Sequence, residues 1–60
     1  MISYAEQLAC VEREIAMRKR VYPRWIEAGK MTKSKADAEI RAMEAVAETL
    51  RGLDQRERLI

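Results

Sequence analysis

The chain has 60 residues, with 12 Lys plus Arg against 10 Asp plus Glu, no His and one Cys, which limits it to a single small domain of formal charge +2. Without His and with one thiol, it cannot build a Ser-His-Asp triad, a Cys-His pair or a nitrogen- and sulfur-rich zinc site from its own residues. Hydrophobic residues at 48% and charged residues at 37%, with two Gly and no Phe, are the composition of a long-helix or coiled-coil protein, and no sheet is expected.

Chain order begins with Ser3-Tyr4-Ala5-Glu6, an S-x-x-E capping box in which the Ser hydroxyl and the Glu carboxylate each satisfy an orphan backbone N–H, so helix one starts near Ser3. From there Tyr4, Leu8, Val11, Ile15, Arg18, Tyr22 and Trp25 step forward alternately by four and three, a heptad seam with one charged member. Arg18 either lays its stem along the seam with the guanidinium reaching out, or is a buried specificity residue. Pro23 falls inside the pattern, where it lacks an N–H and its ring meets the carbonyl of Lys19. Because the seam continues in phase to Trp25 and Ile26, a kinked continuation is expected, with a break and restart as the alternative. Gly29 then supplies the left-handed residue that releases the chain.

Thr32 is the expected N-cap of helix two, with Met31 as a staple residue and Ser34 with Asp37 as a competing capping pair. Ala36, Ile40, Met43, Ala47 and Leu50 repeat the four-three step, and Val46 and Leu53 widen the stripe. Gly52 is expected to close helix two. The resulting fold is all-α: an antiparallel hairpin with helix one at about 3–28 and kinked at Pro23, a turn at 29–32, helix two at about 33–51 and a charged tail at 52–60. Its expected core is Leu8, Val11, Ile15, Tyr22, Trp25, Ile40, Met43 and Leu50. A chain this short buries too little apolar surface by itself, and it has the residues for neither an internal disulfide nor a metal staple. Association remains, so the hairpin is expected to pair as a homodimer, in a four-helix bundle or coiled coil. The small flanks of Ala38, Ala42 and Ala45 suit close helix approach, although alanine also simply favours helix.

The N-terminal stretch holds Glu6, Glu12, Arg13 and Glu14, so it lacks the uninterrupted apolar region of an export signal. The longest uncharged apolar run, Leu8-Ala9-Cys10-Val11, falls far short of the roughly 20 residues that span a bilayer. A cytoplasmic location and no membrane partner are therefore expected. Cys10 reads as a small packing residue in a reducing compartment, with a reactive or inter-chain thiol as the alternative.

Charge is uneven along the chain. Residues 13–35 carry eight basic side chains against Glu14 and Glu27, a net +6, while the flanking segments 1–12 and 36–60 are each at −2. In an antiparallel hairpin the positive charge gathers at the turn end, and Arg18, Lys19, Arg20, Arg24, Lys30 and Lys33 are the candidate contacts for an acidic protein surface or for nucleic acid. Tyr22 and Trp25 could stack a base there, or could simply be core beside dipole-complementing cations. Carboxylates two apart, Glu12 with Glu14 or Asp37 with Glu39, point about 200° apart on a helix and cannot converge on an ion or substrate. Glu44 and Glu48 share a face as solvated charge. No catalytic, cofactor-binding or metal-ligating residue is assigned, and no cofactor is expected.

The segments Val21-Tyr22-Pro23-Arg24-Trp25, Gly29-Lys30-Met31-Thr32 and Lys35-Ala36-Asp37, followed by Glu39-Ile40 and Met43, make the chain from about Leu8 to Leu50 resemble a family of small proteins commonly encoded in bacteriophages and prophages. That family shares a V-Y-P-R-W segment, a G-[KR]-M-T turn and an A-D-x-E-I helix start. The resemblance implies a non-enzymatic accessory protein that binds and modulates another protein of host or phage machinery, defence included, inside the bacterial cell. Direct nucleic-acid binding through the basic turn end and a structural role in a larger phage assembly are the alternatives.

Overall fold

The computed structural model describes residues 1–59, and in it the chain is two helices, α1 (Tyr4–Glu27) and α2 (Lys33–Arg58), joined by a short turn. Among the described residues there is no strand. Ser3 caps α1 with extended backbone, its hydroxyl accepting from the Glu6 N–H at 3.1 Å. The capping box is only half made. The Glu6 carboxylate accepts from the Ser3 hydroxyl at 3.2 Å rather than from the Ser3 backbone.

Helix α1 closes with a Schellman arrangement. Gly29, at φ +74°, lets the Lys30 N–H donate to the Trp25 carbonyl at 2.8 Å, while its own N–H donates to the Ile26 carbonyl at 3.0 Å. Thr32 then caps α2, its hydroxyl accepting from the Lys35 N–H at 3.1 Å. Ser34 lies inside the helix, so the competing Ser34/Asp37 cap is not used. Between Gly29 and Thr32 the chain reverses, and α2 runs back antiparallel along α1.

Two cross-helix ion pairs set the register: Lys19 with Glu44 and Arg51 with Glu12, each at 3.3 Å. Along the contact line Tyr22, Ala36 and Ala47 are buried, and Ile15, Ile26 and Ile40 are half-buried. Ala36 and Ala47 present small side chains on the contact line of α2, and Tyr22 of α1 lies beside Ala36.

Several sequence expectations change here. Trp25 is not core: it is 45% exposed, and Ile26 takes the inward position at that turn. Leu8, Val11, Ile15, Met43, Ile40 and Leu50 are half-buried rather than buried, because two helices meet along one line and cannot cover a stripe this wide. At Pro23 the expected continuation of α1 is what the structure has, and the alternative break and restart does not occur. Gly52 does not close α2, which continues as helix through most of the expected tail to Arg58; Ile60 lies outside the described residues. The reason is the register. With Arg51 opposite Glu12, α2 must reach about position 58 to run alongside the start of α1 at Tyr4.

Candidate functional site

The two broad sides of the hairpin differ in chemistry. One side is bridged by the Lys19–Glu44 and Arg51–Glu12 pairs. Between them and the turn lies an open groove of about 630 Å³, floored by Tyr22, Ile26, Ala36 and Ile40 and rimmed by Lys19, Lys33, Asp37, Arg41 and Glu44. Lys33 approaches Asp37 at 3.9 Å, a loose and exposed pair. Lys19 and Lys33 are answered by Glu44 and Asp37, which leaves Arg41 as the one rim cation without an ion pair among the described residues.

The opposite side is apolar. At 100° per residue, Val11, Val21 and Trp25 of α1 and Met43, Val46, Leu50 and Leu53 of α2 turn away from the ion-paired side. Trp25 and Val46 are 45% and 47% exposed, and the others are half-buried. The Trp25 ring lies 5.7 Å from the Tyr22 ring, centroid to centroid and tilted by 38°, so Tyr22 links this face to the core. Arg18 occupies the same face, donating to the Tyr22 hydroxyl at 3.2 Å and pairing with Glu14 at 3.5 Å. Its guanidinium is held above its ordinary range, first by the Tyr22 hydroxyl and then by Glu14. Raised affinity for a proton is lost only when pH climbs past that range, so Arg18 stays charged at any pH at which the chain functions.

The six cations grouped by sequence do not form one patch. Arg18, Lys19 and Arg20 are consecutive, so they point in three directions. Arg18 stands on the apolar face and Lys19 on the ion-paired side, while Arg20 and Arg24 stand on the outer ridge of α1, away from α2. Lys30 is exposed in the turn and Lys33 opens α2. Arg20, Arg24 and Lys30 form no ion pair among the described residues.

Arg13 is counted in the basic segment 13–35 but is not among the candidate contacts. It falls within about 40° of Arg20 and Arg24 on the α1 wheel and is likewise exposed and without an ion pair among the described residues. The spacing of seven and then four, with Met17 between, was the available signal. Together the three arginines make a basic ridge about 16 Å long at 1.5 Å per residue. Among the described residues no cluster of three or more His, Cys, Asp or Glu side chains is placed to hold a metal ion, and no helix is long and apolar enough to cross a membrane. Cys10 is exposed. No protein-family model, no curated protein and no solved structure matches the chain.

Proposed function

We propose that the chain is a non-enzymatic accessory protein, of the phage or prophage kind implied by its sequence resemblance, that acts by binding an acidic surface on another protein. The observation that carries this reading is the outer ridge of α1. Arg13, Arg20 and Arg24 are exposed in line there around the exposed Met17, without an ion pair among the described residues, and Glu6 and Glu27 stand at the two ends of the same ridge. Elsewhere Arg18, Lys19, Lys33, Arg51 and Arg58 have carboxylate partners, and the other cations without an ion pair among the described residues, Lys30, Lys35, Arg41 and Arg56, are scattered over the turn and α2 rather than aligned on one ridge. Three forked guanidinium groups flanking one flexible apolar side chain suit a carboxylate-bearing protein face that also offers an apolar contact. The working form in this reading is a homodimer carrying two such ridges.

A nucleic-acid partner is the competing chemistry, and the charge balance weighs against it. Ten carboxylates on a chain of net charge +2 would repel a phosphate backbone along most of the 48 Å length of the hairpin. The test uses the double variant Arg20→Glu/Arg24→Glu. In a nuclease-treated bacterial extract, the wild-type chain should retain a protein that the variant loses, with the helical circular dichroism of both chains equal. Retention unchanged by charge reversal would remove the ridge from the mechanism. Tight binding to a short mixed-sequence DNA or RNA at low salt, falling steeply as salt rises, would overturn the protein reading in favour of phosphate neutralisation.

A further inference from the structure

Folded proteins of 7.0 kDa expose about 4,000 Å², whereas this hairpin exposes 4,910 Å², a surplus of about 900 Å². Among the described residues no side chain is fully buried, and only Tyr22, Ala36 and Ala47 are nearly so. The surplus is close to the roughly 800 Å² that each partner contributes to a standard protein interface. It is also localised. The ion-paired side is bridged by charge, the outer ridge of α1 is basic, the outer side of α2 carries small and polar side chains such as Ala38, Ala45 and Thr49, and the long surface opposite the ion pairs carries Val21, Trp25, Met43, Val46, Leu50 and Leu53.

We infer that this apolar face is the seat of a second copy of the chain, packed side by side in a two-fold four-helix arrangement. The occupant follows from two observations. A hairpin with so little interior gains stability when this face is covered, and a second copy, itself with about 900 Å² of surplus surface, matches it in area. Two of the charges within the face, Arg18 and Glu14, are paired with each other, and the Tyr22 hydroxyl accepts from Arg18. The half-buried Glu39 is the one carboxylate among the apolar side chains of α2 there, so the face asks for little counter-charge from its occupant. A largely apolar surface with so few charges can pack against its own copy, as an isologous contact requires. Because the ridge arginines lie outside it, this assignment stands or falls independently of what the ridge binds.

Light scattering and sedimentation equilibrium of the full chain over a concentration series test the pairing, and Val46→Glu tests the face. Val46 is 47% exposed in the single hairpin, so a carboxylate there is tolerated by one copy, but the two-fold contact would bury it twice. The wild-type mass should be twice 7.0 kDa, and Val46→Glu should raise the dimer dissociation constant by at least about 100-fold, while Ala45→Glu on the outer side of α2 leaves it unchanged. A second readout needs no variant. Trp25 is the sole tryptophan, and at concentrations where the mass is that of the dimer its fluorescence should resist acrylamide quenching. A wild-type chain that stays at 7.0 kDa throughout would overturn the inference. So would a dimer in which Trp25 is freely quenched, or one that Val46→Glu and Ala45→Glu affect equally.

Discussion

At Gly29 the backbone sits at φ +74°, and a Cβ built there meets nothing within 4 Å, so any penalty for a side chain is conformational rather than steric crowding by neighbours. Gly29→Ala should therefore destabilise the hairpin by about 1 kcal/mol, because a residue with a Cβ resists the left-handed region while the Schellman hydrogen bonds at Trp25 and Ile26 require it. Gly52 is the opposite case. It lies inside α2 at ordinary helical backbone with open space around its Cα, so Gly52→Ala should stabilise by about 0.5–1 kcal/mol through helix propensity alone. Urea midpoints at one fixed protein concentration would show the two signs. Equal shifts in the same direction would contradict the conformations assigned to the two glycines. Gly29 was legible as a helix end because Met31-Thr32 follows it with a new cap, whereas Gly52 looked like a second end only because glycine is a frequent one. What carries the helix through Gly52 is tertiary: α1 extends to Tyr4 and offers α2 a surface as far as Arg58.

Within α1, Pro23 can make no N–H bond to the Lys19 carbonyl, and its ring is exposed at the edge of the groove beside Tyr22 and Ile26. Pro23→Ala restores the missing donor at a position where the helix already runs without interruption, so it should raise stability by about 1–3 kcal/mol, read as a higher urea midpoint with at least undiminished helical circular dichroism. A loss of stability would mean that the proline shape is itself needed for packing Tyr22. The existence of both helices, their caps and their antiparallel course could be read from the four-three spacing and the short turn. The wrong element-level reading was Trp25, and the cause is the mismatch between a heptad and a helix. A straight α-helix drifts about 20° per heptad away from a strict seven-residue seam, so from Tyr4 onward the inward direction passes from the Trp25 column to Ile26. A different simplification, counting charge along the chain toward the turn, grouped Arg18, Lys19 and Arg20 as neighbours in function, although they stand on three sides of one helix.

For the whole molecule, shape and charge converge on one arrangement. A compact 60-residue domain has a radius of gyration of about 10 Å, whereas this chain has 14.2 Å and extents of 48 × 16 × 15 Å, a rod rather than a globule. Rods with an apolar side gain interior by lying alongside one another, and contact at the tips would bury too little. Side-by-side pairing across the Trp25–Val46 face also leaves Arg13, Arg20 and Arg24 uncovered on both copies, whereas an interface on the outer side of α1 would bring two rows of unpaired arginines together. Small-angle scattering distinguishes these geometries without a variant. At a concentration where the mass is that of two chains, the longest dimension should stay near that of the single hairpin while the cross-section thickens. A longest dimension near twice 48 Å would require end-to-end contact through the turns or the open ends. In that case the apolar face would remain unfilled by the second copy, and where the contact runs through the turns, the basic residues Lys30 and Lys33 would have to be part of it.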